Sequence, residues 1–380
     1  MATKEAVVAA VAAASSAAFQ IVSTVARSHL AKRRHRKRPR VRIILPAPRG
    51  THFHLDNWDD ERCEEFFRFT KDEIRLILPY LQLHEITFRC RIKVASETAF
   101  CLLLYRLSAP NRYKENLTIF GRGKTWQSIV ITDIIDYLVE RYRNKLFWDF
   151  RRLTYEQLYN YASAIEEVGG VQGVWGFVDG TLRAICRPQE NQEFWYSGYK
   201  KKHTIKFHAI MCPDGLISHL AGPYEGKLGD WTAWKVSGIQ DVLREVHSNA
   251  SEEPDEQNPD KQNQVRDQLY VYSDPAYTLS YGVMGGYKAQ PSRPLNPVLQ
   301  AINAHMSSLR VSVEHGFGKI NSLWQFLDYS RGLKIGLSPI GAYYMVAILL
   351  TNIHTCFRGS QVSKKFNCLP PDLQEYLIQD

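Results

Sequence analysis

Residues 173–183, GVWGFVDGTLR, constrain the chain most: Val174, Trp175, Phe177 and Val178 form a short apolar run of strand-forming residues that stops at Asp179-Gly180-Thr181. A run bounded this way aims one carboxylate out of the end of a buried strand. Taken alone it reads equally as a strand running into an Asp-Gly turn. Two later stretches add to it. Residues 269–277, LYVYSDPAY, repeat the design, with Asp274 ahead of a proline-containing turn. Residues 308–317, SLRVSVEHGF, put Glu314 in a predicted helix. Three carboxylates delivered by two strands and a helix suit the holding of two divalent metal ions.

The rest of the composition says where charge lies. The net charge is +9, yet residues 32–42, KRRHRKRPRVR, hold eight Lys or Arg and no acid, which leaves about +1 for everything else. The basic excess is an arm on a nearly neutral body. Lys32, Arg33, Arg34, Arg36, Lys37 and Arg38 form a solvated charge run, a nuclear import signal or a clamp on phosphates. The expectation is import to the nucleus together with DNA contact that ignores sequence. The seven cysteines stand singly, with no paired spacing. That argues against a disulfide framework or a zinc ribbon and fits a reducing compartment. Residues 1–30 are rich in Ala, Val and Ser and lack the layout of a secretory signal. They leave open a transit-peptide-like start or a frayed helical extension.

Between residues 55 and 165 the apolar spacing is helical. Thr70 with Glu73 makes a capping box, and Phe69, Ile74, Leu76, Ile77 and Leu81 make an apolar face. A second helix is predicted over 96–107. A short segment at 115–120 leads through Gly121-Arg122-Gly123 to a long helix over 126–143, which Thr125 can cap. Short helix, glycine-containing turn and longer helix read as a helix-turn-helix or as an ordinary bundle with a surface turn. In the first reading Arg122, Lys124, Trp126 and Gln127 stand exposed and Arg122 and Lys124 meet DNA.

From about residue 170 the period shifts towards two. Residues 202–211 and 216–221 read as a hairpin about Pro213-Asp214-Gly215. Tyr196 and Tyr199 interleave with Lys200, Lys201 and Lys202, as a DNA groove does and as a solvated hairpin end also does. Asp230 is expected to cap one helix over 230–246 while facing the site, or to serve as a reserve ligand. Residues 249–267 are nearly free of apolar side chains and read as an insertion. Arg310, one turn before Glu314, is placed to orient it, or else forms an exposed ion pair with it. The apolar run at 341–353 is too short to span a bilayer and suits a buried helix, so no membrane is expected. The fold class is α/β: strand, hairpin, helix, strand and helix is the order of a ribonuclease-H-like core, preceded by a helical, helix-turn-helix-like domain. The expected division is a basic extension (1–50), a helical DNA-binding part (51–165), a nuclease part (166–358) carrying the insertion, and a tail (359–380).

VDGT around Asp179, YSGYKKKHTIKF, the Gly229-Asp230 pair, SDPAY around Asp274 and SSLRVSVEHGFG around Glu314 occur in that order. Together they resemble the DDE transposases of the PIF/Harbinger superfamily, over residues 66 to 355. The resemblance implies an endonuclease and strand transferase that cuts the ends of a DNA element and joins them to target DNA. It implies Asp179, Asp274 and Glu314 as the catalytic and metal-binding set, two Mg²⁺ or Mn²⁺ ions, a homo-oligomer on DNA, and a Myb-like partner protein. The protein is expected in the nucleus, with the cytoplasm as the alternative where that partner is absent. The alternative is a domesticated, catalytically inactive DNA-binding or partner-recruiting protein descended from such an enzyme.

Overall fold

Two side-chain caps start the described chain. Asp59 accepts a hydrogen bond from the Arg62 amide at 2.7 Å and opens α1 (Asp60–Phe67). Thr70 and Glu73 form the expected capping box and open α2 (Lys71–Leu81). Ile74, Ile77 and Leu81 are buried there, whereas Leu76 is 56% exposed. At about 100° per residue it lies roughly 200° round from Ile74, off the apolar stripe. The computed structural model describes residues 52–252, 268–289 and 294–378, so the basic arm and most of the 249–267 insertion lie outside it.

Helix α3 (Ser96–Ser108) runs one residue beyond its expected end, and every side chain from Ala99 to Tyr105 is buried. A single turn, α4 (Leu117–Phe120), then precedes α5 (Lys124–Phe147). The helix starts earlier than expected: Gly123 holds the N-cap position, and Thr125 lies inside the helix rather than capping it. Gln127 is not exposed either. It is fully buried, and its Nε2 donates to the carbonyls of Tyr113 and Arg122, so it ties the preceding loop to the helix. Helix α5 packs against α3 and against α11 (Ile340–Arg358), leaving Arg122, Lys124 and Thr125 exposed around its first turn. After it comes α6 (Tyr155–Gly169), capped by Thr154.

The sheet begins with β1 (Val174–Ala184), which does not stop at Asp179 but continues five residues further. Asp179 therefore stands in mid-strand, opposite Ala209. The short α7 (Gln192–Trp195) and β2 (Tyr196–Ser197) lead to β3 (Lys202–Met211) and β4 (Ile217–Glu225), the expected hairpin with a longer second strand. Helices α8 (Asp230–Ser237) and α9 (Ile239–Glu252) replace the single helix expected there. Gly238, with φ of 76°, divides them. Two parallel strands, β5 (Tyr270–Ser273) and β6 (Val283–Gly285), and the long α10 (Pro297–Leu323) complete the pattern.

Strand β1 pairs antiparallel with β3 on one side and parallel with β5 on the other; β4 pairs with β3, and β6 lies beyond β5. This mixed α/β sheet is covered on both faces. Phe177, Phe207 and Ala209 meet Val313, Phe317 and Ile320 of α10. Trp175, Val178 and Ile210 meet α6, Trp234 of α8 and Leu243 of α9. The first of these cores runs without a break into α1–α5, so packing is continuous across the boundary drawn at 165.

Helix α11 has 19 residues, long and apolar enough to cross a bilayer by composition, but 83% of its most apolar 18-residue stretch is buried inside the protein. Residues 359–378, expected as a tail, pack instead. Helices α12 (Gln361–Lys365) and α13 (Leu373–Leu377) bury Val362, Phe366, Tyr376 and Leu377. Asn352 of α11 donates to the Tyr376 hydroxyl at 2.9 Å.

Candidate active site

Asp179 is held by the strand pairing of β1, and alternation puts its side chain on the α10 face with Phe177 and Thr181. Asp274 follows the last residue of β5. Phe177 pairs with Tyr272 across the two parallel strands, so Asp179 and Asp274 sit at matching register two residues further on. Neighbouring strands lie about 4.8 Å apart. Asp274 is turned by its own loop: its Oδ1 accepts from the Ala276 amide at 3.0 Å, and the Tyr277 amide closes the turn onto its carbonyl.

Arg310 ties Asp179 to Glu314. Its Nη1 is 3.3 Å from Asp179 Oδ2 and its Nη2 is 3.4 Å from Glu314 Oε1. Glu314 faces solvent, while Asp179 and Arg310 are each about four-fifths buried. Arg310 therefore reaches past the acid it was expected to orient and bridges two of the three carboxylates. Among the described residues, no three His, Cys, Asp or Glu side chains stand close enough together to ligate one ion.

Burial pushes the Asp179 carboxyl up to about 6; the Gly180 amide, donating to Asp179 Oδ1 at 2.8 Å, and Arg310 oppose the rise, while Asp230 and Asp274 add to it. Burial is the main cause, so the charged form of Asp179 is short of solvation rather than outnumbered by acids. The oxygen donors of Asp179, Asp274 and Glu314 are of the kind a hard divalent cation takes, but as placed here they do not close round one ion.

Asp230 reaches the site differently from expectation. Gly229 is the N-cap residue of α8, and Asp230 follows it inside the helix without capping it. Its Oδ1 instead accepts from Lys206 Nζ at 3.0 Å, and the Lys206 side chain is 94% buried. Gly180 makes room for this. A β-carbon at position 180 would fall 1.8 Å from Asp230 Oδ1. The glycine after Asp179 is therefore a close-approach residue in a continuous strand, not a turn residue. Lys206 was missed in the sequence, although a lysine inside a strand of buried residues was a usable signal.

Lys200, Lys201 and Lys202 are exposed between β2 and β3, with the Lys200 ammonium 5.0 Å from the ring of Tyr199, itself 85% exposed. Arg122 and Lys124 are exposed before and at the start of α5. The arm residues Lys32 to Arg38 lie outside the described residues.

Residues 178–352 match the family model described as DDE superfamily endonuclease. The matched stretch takes in Asp179, Lys206, Asp230, Asp274, Arg310 and Glu314. No curated protein and no solved structure matched the chain. The match, laid over a mixed α/β sheet that gathers these acids, supports a DDE transposase-like nuclease.

Proposed function

We propose that this protein is the metal-dependent endonuclease and strand transferase of a PIF/Harbinger-type DNA transposon, built on a ribonuclease-H-like core. The observation that carries the reading is the register of Asp179 and Asp274 on adjacent parallel strands, with Arg310 linking Asp179 to Glu314. The strand order, three antiparallel strands followed by parallel additions on the other side of β1, supports the same core.

Asp179, Asp274 and Glu314 would hold Mg²⁺ or Mn²⁺, which when bound supply an activated oxygen nucleophile and a stabilised leaving oxygen for phosphodiester cleavage. The chain's own residues prepare that step. The strand ladder fixes Asp179, and the turn after β5 fixes Asp274. Arg310 keeps Asp179 and Glu314 from repelling each other apart. The Lys206–Asp230 pair keeps a further carboxylate folded against Gly180 rather than loose in the site. Lys200, Lys201, Lys202, Arg122, Lys124 and the arm at 32–42 would hold the DNA by its phosphates. The helical part before β1 would serve as the DNA-binding domain, and a Myb-like partner and a nuclear location belong to the same reading.

One observation favours the rival reading of an inactive DNA-binding descendant. The described acids do not converge on one ion site, and a guanidinium stands between two of them. The test is cleavage of a DNA duplex carrying element ends, with Mg²⁺ or Mn²⁺ and with chelator. Cation-dependent nicking is expected. DNA binding without nicking under every cation would select the rival.

A further inference from the structure

We propose that a cavity between the helical part and the turns after α10 is a subsite for one unpaired nucleotide of the DNA substrate; this rests on the nuclease reading above. The cavity, of about 400 Å³, opens between the end of α3, the loop before α4, the start of α5 and the turns after α10. Its wall combines Arg106, Arg112, Lys114 and Lys124 with the rings of Tyr113 and Tyr329.

Each part has a chemical use. Arg106 is fixed between two rings, its guanidinium carbon 3.8 Å from the centroid of Phe326 and 4.6 Å from that of Tyr113. Its Nη1 donates to the Asn111 carbonyl at 2.6 Å, but its Nε is buried with no partner among the described residues. Arg112, Lys114 and Lys124 are exposed, and none of them makes a side-chain ion pair among the described residues. The acid bound to this loop, Glu115, accepts from the Arg112 amide at 3.0 Å and leaves the guanidinium free. Tyr329 is 44% exposed, a large ring kept at the surface where packing does not require it.

Cations beside exposed rings suit a phosphate joined to a base, because the phosphate takes the charge and the base takes the π-face. The volume is at the low end of small-molecule pockets, roughly 300–1,000 Å³, which admits one nucleotide and not a base pair. A base inside a duplex is stacked and cannot enter, so the ligand is a base extruded from the helix or left unpaired at its end.

The cavity is linked to the carboxylates. Arg183 lies four residues beyond Asp179 on the same face of β1, and its Nη1 is 3.9 Å from Asp328, the residue before Tyr329. Four residues of strand span about 13 Å.

The test uses the full chain in chelator, titrated by fluorescence anisotropy against two probes: a blunt duplex, and the same duplex with an unpaired single-nucleotide overhang. Wild type is expected to bind the tailed duplex more tightly. Tyr329→Ala should weaken the tailed duplex by about tenfold, leave the blunt duplex unchanged, and be rescued by Tyr329→Phe, which keeps the ring. Equal binding of the two probes by wild type, or equal weakening of both by Tyr329→Ala, would overturn the subsite. Metal-dependent cleavage of the same duplexes separates the two ideas. Cleavage without a Tyr329-dependent tail preference removes the subsite alone. A Tyr329-dependent preference without cleavage removes the nuclease reading and leaves the subsite standing.

Discussion

Asp214 and Asp179 are both largely shielded from water, and their surroundings differ in kind. Asp214, in the turn between β3 and β4, is 99% buried and fully provided for. It accepts from Arg152 Nη1 at 3.0 Å, from the Tyr161 hydroxyl and from the Leu216 amide at 2.9 Å, while Arg152 also donates to Ser218. Asp179 has one amide, one longer contact to Arg310 and two acids in its neighbourhood. The first cluster closes on itself and locks the hairpin to the segment before α6. The second is poorly solvated beside a surface. A buried carboxylate met by a guanidinium, a hydroxyl and an amide holds structure, whereas one raised mainly by burial and open on one side has room for a ligand.

The comparison breaks most plainly on stability. Asp214→Ala should destabilise the protein by about 3–5 kcal/mol, because it removes the nearer of the two carboxylates that face the buried Arg152. Asp179→Asn should act with the opposite sign. A carboxyl whose folded value, about 6, lies above its unfolded value of about 3.9 binds more protons in the folded state. Its penalty is absent below about pH 4 and complete above about pH 6. The metal-free wild type should therefore lose about 2–3 kcal/mol from this group as pH rises through that window. Asp179→Asn should not, and at pH 7 it should be the more stable protein. Denaturant unfolding of both variants between pH 4 and pH 7 checks this; an Asp179→Asn variant less stable than wild type at pH 7 would undo the contrast.

The smaller effect concerns Asp230. Removing its charge leaves Lys206 without its ion partner in a mostly buried position, a cost of about 1–2 kcal/mol. Asp230→Asn should lose that much in the same unfolding measurement and retain measurable DNA cleavage. Loss of all cleavage by a folded Asp230→Asn protein would move Asp230 into the catalytic set.

Much of this was legible in the sequence where the signal is local. The capping box at Thr70 and Glu73, the hairpin about Pro213-Asp214-Gly215 and the helix carrying Glu314 all follow from short-range pattern. The misreadings share a cause: each residue's role is decided by a partner distant in the chain. Gly180 looks like a turn residue until Asp230, fifty positions away, is found against it. Asp230 looks like a cap until Lys206 is found beside it. The segment after 358 looks like a tail because its apolar residues are too sparse to show a period, yet Val362, Phe366, Tyr376 and Leu377 are buried. Arg310 was read with the acid on its own helix, and only the placing of α10 on β1 joins it to Asp179.

The central claim is that the unsatisfied charge at Asp179 is there for a cation used in cutting DNA. Asp179→Asn keeps the shape and hydrogen bonding of the side chain and removes its charge. The direct measurement compares wild type and Asp179→Asn on one duplex substrate: binding in chelator, then cleavage with Mg²⁺ or Mn²⁺. The account predicts unchanged binding and loss of cleavage in the variant. An Asp179→Asn protein that still cuts DNA at the wild-type rate would contradict it.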